Sequence, residues 1–224
     1  MKLQNWPMAE PPREKLLRCG AGNLSDTELL AIWLGTGCSG QNVLSLAQDL
    51  LQQFGSLREL MDASAHRLCE QRGIGPARYA RLQAIIEMYR RNQLERLKTG
   101  PMLLSPSVVR SYLTSMLRDR DYEVFCCLFL DNRHHLMLFE ELFRGTIDGA
   151  SVYPREVVKT ALAHRAAAVI FAHNHPSGIA EPSHADEAIT RRLKDALALV
   201  DIRVLDHFIV AGSGVLSFAE RGLL

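Results

Sequence analysis

Two histidines one residue apart, with an aspartate eleven positions after the second, are the side chains of this sequence best suited to chemistry. They lie in the segment Ala172-His173-Asn174-His175-Pro176-Ser177-Gly178-Ile179-Ala180-Glu181-Pro182-Ser183-His184-Ala185-Asp186. Ala167 to Ala172 reads as a buried strand leading into it. Residues two apart on a strand face the same side, so His173 and His175 aim two imidazoles at one point. Pro176-Ser177-Gly178 ends the strand and turns the chain. Ser183 to Val200 reads as a helix, and Asp186 falls in its first turn, pointing back toward the strand end. Two imidazoles and one carboxylate form a three-ligand site with an open fourth position. Catalytic zinc uses that arrangement and lowers the pKa of a bound water to about 7. Each part also has a plainer use. An isolated His-x-His occurs in many strands, and Ser183 with Asp186 fits a capping box that merely starts a helix. The conjunction points to a metal, and capping is compatible with reaching one.

The elements that must hold these residues are legible around them. Val108 to Leu117 reads as a helix, Glu123 to Asp131 as a strand, Asp131-Asn132-Arg133 as a turn and His135 to Gly145 as the return strand of a hairpin. Pro154 to Arg165 reads as a helix, and Arg203 to Val210 and Val215 to Phe218 as further strands. Strands interleaved with helices give an α/β or α+β domain. Before residue 99 the pattern is helical. Ser25-Asp26 caps an apolar run from Thr27, Val43 to Leu51 continues at helical spacing up to Gly55, and Ser56 to Met61 is short. Gly73-Ile74-Gly75-Pro76 is a tight turn before a long helix over Arg78 to Lys98. Thr99-Gly100-Pro101 and Ser105-Pro106 mark a linker over residues 99–106. The expected organisation is an all-α domain over 1–98 and a second domain over 107–224.

Composition sets limits. The 224 residues are 47% hydrophobic, enough for a sizeable core. With 26 basic and 25 acidic residues the net charge is +1, which excludes a whole-chain nucleic-acid footprint but not a local one. No window approaches the roughly 18 apolar residues of a membrane span. The start, MKLQNWPMAEPPREK, has no apolar stretch behind its lysine, so no signal peptide is expected. Five cysteines without CxxC spacing argue against a disulfide framework or a cysteine zinc site. Cys126 and Cys127 read as core thiols, and a reducing cytoplasm is the expected location.

His-x-His, seven residues, Ser, two residues, Asp is the JAMM motif of the MPN metalloprotease fold, present here as His173, His175, Ser183 and Asp186. Phe143-x-Gly145-Thr146, Pro154-Arg155-Glu156-Val157, Ala172 to Gly178 and Leu205-Asp206-His207 resemble the RadC-type (UPF0758) branch closely from about residue 107 onward. The resemblance implies an MPN/JAB-type domain with a mixed sheet flanked by helices. It implies Zn2+ held by His173, His175 and Asp186, with Ser183 stabilising the oxyanion. A glutamate from an upstream strand would be the general base. Glu123, opening the first strand of the domain, is the choice, with Glu140, Glu141 and Glu156 as rivals. The implied activity is that of a zinc metallopeptidase or isopeptidase on a protein or peptide substrate. His207 suits either support of a ligand through a hydrogen bond or a half-buried strand position.

Gly73-Ile74-Gly75 resembles the helix-hairpin-helix family, whose glycine turn offers backbone N–H groups to a DNA phosphate. Arg72 to Lys98 holds seven basic residues against two acids. Gly73, Gly75, Arg78 and Arg81 are the candidate contacts, to phosphate and hence without sequence preference. Tyr79 stands where that family usually has a small residue. The alternative function is therefore a DNA-binding accessory protein in repair or recombination with a structural or vestigial metal. Gly35-Thr36-Gly37 lacks the ending of a phosphate loop and reads as a plain loop.

Overall fold

The computed structural model describes residues 10–99, 106–145 and 152–224. Most of the linker expected over 99–106 lies outside the described residues, as does Thr146 of the quoted Phe143-to-Thr146 stretch. The chain forms two compact units, Met1–Glu87 and Met88–Leu224. The division falls within a helix rather than at the linker, because Leu94 and Leu97 pack into the core of the second unit.

The first unit is helical. It comprises α1 (Pro12–Cys19), α2 (Asp26–Leu34), α3 (Val43–Phe54), α4 (Leu57–Met61), α5 (Ala65–Cys69) and the start of α6 (Pro76–Thr99). Side-chain caps open four of them. Ser25, Asn42, Ser56 and Ser64 each accept a backbone N–H three residues on, satisfying an otherwise orphaned donor. Leu34, Leu50, Leu60 and Leu68 are fully buried in its core, each contributing about 1.5–3 kcal/mol by leaving water. Helix α5 is the helix expected ahead of the Gly73-Ile74-Gly75 turn, and α1, eight residues opening on Pro12, is an element that the sequence pattern does not announce.

The second unit is a three-layer sandwich. After α7 (Pro106–Leu117) come β1 (Val124–Leu130), β2 (Leu136–Arg144), α8 (Pro154–Ala163), β3 (Ala168–His175), α9 (His184–Ala198), β4 (Arg203–Ala211) and β5 (Gly214–Ser217). The five strands form one mixed sheet in the order β2-β1-β3-β4-β5, in which only β3 and β4 run parallel. Helix α7 covers one face, over Cys126, Leu128, Ile170, Ala172, Phe208 and Val210. Helices α8 and α9 cover the other, through Val157, Ala161, Leu193 and Leu197 against Phe125, Cys127, Val169 and Phe171. Strand β1 is therefore buried along its whole length, which is why it reads as a continuous apolar run rather than an alternating one. Cys126 and Cys127 are buried, and burial pushes both thiols up, so they stay protonated. All five cysteines are free. Among the described residues no helix is long and apolar enough to cross a membrane.

Strand β3 runs three residues beyond the expected end, because its parallel pairing with β4 continues to His175 opposite Ala211. One irregularity in that ladder decides which side chains meet. Val169 pairs with Val204, but Ile170 pairs with Asp206, so Leu205 is an extra residue in β4. A one-residue offset exchanges the two faces of a strand. Because of the bulge, His207 stands beside Phe171 on the α9 side, and Phe208 faces α7.

Candidate metal centre

His173 and His175, at the end of β3, point to the α9 side of the sheet, as their spacing requires. Their Nε2 atoms are 2.9 Å apart. The turn that follows closes through the Gly178 N–H donating to the His175 carbonyl at 3.0 Å. Gly178 has φ +84°, a conformation that side-chain-bearing residues rarely adopt. The returning loop is pinned to the β4–β5 hairpin, with Ser213 N–H donating to the Gly178 carbonyl at 3.0 Å and Ala180 N–H to Ser213 Oγ at 3.2 Å. From that loop the Ile179 carbonyl accepts from His175 Nδ1 at 2.9 Å. A carbonyl only accepts, so the proton of a neutral His175 sits on Nδ1 and its Nε2 lone pair faces His173.

Asp186 enters from the first turn of α9. Ser183 caps that helix: its Oγ accepts the Asp186 N–H at 3.1 Å, and Asp186 Oδ2 accepts the Ser183 N–H at 2.7 Å. The Ser183 hydroxyl also donates to Oδ2 at 2.7 Å. Asp186 Oδ1 is 3.3 Å from His173 Nε2, and Oδ2 is 3.5 Å from His175 Nε2. The capping role and the approach to the histidines coexist, since the box uses the same carboxylate that faces them.

Burial alone would raise the Asp186 carboxyl, but the contacts with His173 and His175 overcome it and hold the group far below the usual carboxylate range. The Asp186 contact raises His175; burial opposes it, and the Ile179 carbonyl and the charges of Asp186 and Glu123 add to it. His207 is fully buried, and burial holds it neutral, well below the ordinary histidine value. Its Nε2 lies 2.9 Å from His173 Nδ1, leaving His173 Nε2 for the cluster.

Two imidazole nitrogens and an anionic oxygen, all within 4.8 Å of one another, fit a divalent ion. An ion bonded at roughly 2.0–2.1 Å sets tetrahedral neighbours about 3.3–3.4 Å apart, and the separations here straddle that value. The His173 side chain is only 2% exposed, Asp186 13% and His175 17%, so water reaches the group from the His175 side.

Glu123 is half-buried and directly precedes β1. Phe125 pairs with His173 in the antiparallel β1–β3 ladder, and the same register carried two places on sets Glu123 across from His175. Asn174 holds this end of the ladder with its side chain. Its Oδ1 accepts the Val124 N–H at 2.8 Å, and its Nδ2 donates to the Tyr122 carbonyl at 2.9 Å. Of the four candidate glutamates, Glu123 is the one whose charge acts on His175. Glu141 pairs with Cys126 on the α7 face and is held by Arg120 at 2.6 Å and Arg144 at 3.3 Å. Glu140 is exposed on β2, and Glu156 pairs with Arg155 and Lys159 on α8.

Replacing Asn174 with alanine is expected to destabilise the second unit by about 2–4 kcal/mol. The buried Val124 N–H would lose its partner at about 1–3 kcal/mol, and the half-buried Tyr122 carbonyl, which water can still reach, at the low end of that range. Urea unfolding followed by tryptophan-independent far-UV signal measures this, and a midpoint equal to the parent's would refute the tethering role.

In the first unit, the arginines of the glycine turn also act as internal ties. Arg78 bonds the Gly73 carbonyl and, at 2.6 Å, the Thr36 carbonyl. Arg72 donates to the Ser39 carbonyl at 2.6 Å, and Arg81 to that of Trp33 at 3.4 Å. Gly73 has φ +81° and sits against Leu46 and Cys38, so the turn is packed on the helical core. Tyr79 packs against the same core.

A family model described as the RadC-like JAB domain matches residues 103–223, and one described as UPF0758 N-terminal matches residues 3–80. The chain belongs to the UPF0758 family. UPF0758 proteins of Nitrosococcus oceani and Thioalkalivibrio sulfidiphilus are 61% and 62% identical to it, each over 100% of both chains. That of Cellvibrio japonicus is 59% identical over the same extent. The His173, His175 and Asp186 cluster thus lies in the RadC-like JAB domain, and the glycine turn in the UPF0758 N-terminal region. Of the two readings open to His207, the structure shows the hydrogen bond to His173, and Thr190 of α9 contacts His207 in turn, a residue the motif does not include. The signal for Thr190 was present: it stands four residues after Asp186, hence on the same helix face.

Proposed function

We propose that this UPF0758 chain is a zinc-dependent metallohydrolase of the JAMM type, cleaving an amide or isopeptide bond in a protein or peptide substrate in the cytoplasm. The observation that carries the reading is the convergence of His173 Nε2, His175 Nε2 and the Asp186 carboxylate at 2.9–3.5 Å. These three residues would hold the ion, which would supply there the Lewis acidity that acidifies a water and polarises a carbonyl. Glu123, two places before Phe125 and so across from His175 at the end of the ladder, takes the proton from the attacking water and returns it to the leaving amine. Ser183 is placed for the developing charge on the carbonyl oxygen. Its hydroxyl, now donating to Asp186 Oδ2, turns toward that oxygen as the charge grows.

The test is proteome-wide. Zinc-loaded protein incubated with cell-derived peptides and proteins is expected to generate new N-termini that vanish with a chelator and return when zinc is restored. Loaded protein that generates none, across both native and denatured substrates, would overturn the hydrolase reading.

A further inference from the structure

Thr190 and His207 lie behind the cluster, and neither offers it an atom. Thr190 is 1% exposed on the inner face of α9, and His207 is fully buried on β4. Thr190 Oγ1 is 2.5 Å from the Asp186 carbonyl oxygen and 2.6 Å from His207 Nδ1. His207 Nε2 is 2.9 Å from His173 Nδ1. Three hydrogen bonds thus run from the backbone of one cluster residue to the ring of another.

The direction of every bond follows from one fact: the Asp186 carbonyl can only accept. The Thr190 hydroxyl must donate to it. Its lone pair then accepts, so His207 carries its proton on Nδ1. A neutral His207 with Nδ1–H presents a bare Nε2, which accepts from His173 Nδ1–H. His173 is left with its Nε2 lone pair facing His175 and Asp186. His175 reaches the same state by a separate route, through the Ile179 carbonyl.

We propose that Thr190 is a positioning residue that selects, through His207, the tautomer in which His173 offers Nε2 to an ion. The inference rests on the metal-site reading above and deepens it. Without the hydroxyl, His207 Nδ1 has no acceptor among these partners, and His207 is free to carry its proton on Nε2. It then donates to His173 Nδ1, and a neutral His173 carries its own proton on Nε2, directed into the cluster, where an ion must displace it. The bulge at Leu205 is what brings His207 into this chain.

Thr190→Val keeps the branched shape and removes the hydroxyl; Thr190→Ser keeps the hydroxyl. In metal-free protein, nitrogen-15 correlation spectra of the histidine rings report tautomers directly. His207 is expected as Nδ1–H in the parent and in Thr190→Ser, and altered in Thr190→Val. Zinc affinity, read by chelator competition, is expected to fall about 10–100-fold in Thr190→Val and to stay within a few-fold of the parent in Thr190→Ser. Unchanged spectra with parental zinc affinity in a folded Thr190→Val would overturn the proposal, as would a changed tautomer with unchanged affinity. A parent that binds no zinc, yet shows the expected Nδ1–H signal and its loss in Thr190→Val, would refute the metal reading while upholding the tautomer selection.

Discussion

Replacing His173 with alanine is expected to take the metal content of the purified protein from about one zinc per chain to essentially none. The substitution removes more than a ligand atom. His173 is nearly inaccessible to solvent, so it is the ligand with least freedom to be replaced by water. His175 and Asp186 would remain, but two donors at the rim hold an ion far less well than three. Loss of a partner behind a metal ligand alone typically costs 10–100-fold in affinity, and loss of the ligand itself costs more. His207 Nε2 would also lose the donor it now faces at 2.9 Å in a fully buried position. Some loss of thermal stability should therefore accompany the loss of metal, and a chelator added to the parent separates the two effects. Elemental analysis of dialysed protein gives the answer. His173→Ala protein that keeps one zinc per chain would remove the basis of the assignment.

The second large effect is expected at Glu123. Glu123→Gln keeps size and hydrogen-bonding capacity but cannot take a proton. Positioned general bases contribute typically 10²–10⁴-fold, so turnover should fall by about that factor, with zinc content unchanged. The separation of the two readouts is the point: His173→Ala loses both, Glu123→Gln only one. The variant also serves as a trap, since substrate should still bind and remain uncut. If Glu123→Gln retains full turnover while Glu140→Gln or Glu156→Gln loses it, the base has been assigned to the wrong strand. Glu141 is the weakest rival, because it lies on the opposite face and is already paired with two arginines.

Much of the centre could be read from the chain because its key geometry is local. Alternation along β3 fixes the common side of His173 and His175. The capping pattern Ser-x-x-Asp fixes where Asp186 sits on α9. Buried strands with apolar residues on both faces, such as Val124–Leu130 and Ala168–Ala172, are conspicuous in any sequence. What could not be read depends on pairing between segments far apart. The side to which His207 points is set by a bulge that no pattern in Arg203–Ala211 announces. Asn174 was visible only as the residue between two histidines; that its amide replaces ladder hydrogen bonds to Tyr122 and Val124 requires knowing that β1 starts beside it. The arginines around the glycine turn read as a basic surface. Three of them, Arg72, Arg78 and Arg81, spend donors on carbonyls some thirty to fifty residues earlier, at Trp33 near the end of α2 and at Thr36 and Ser39 in the loop after it.

The bulge in β4 makes the number of residues before His207 matter more than which apolar side chain fills the extra place. Leu205 is partly buried and packs against the α7-side core, so another apolar residue of similar volume could stand there. Excising it would only remove the bulge, since Asp206 would then follow Val204 and His207 would still stand opposite Phe171. One residue inserted between Asp206 and His207 would instead turn over everything downstream in the strand. His207 would be driven toward α7 and the Phe208 ring toward His173, exchanging a polar neighbour for an aromatic one. For this strand, insertion by one codon after the bulge is the severe lesion, and loss or substitution of Leu205 the mild one.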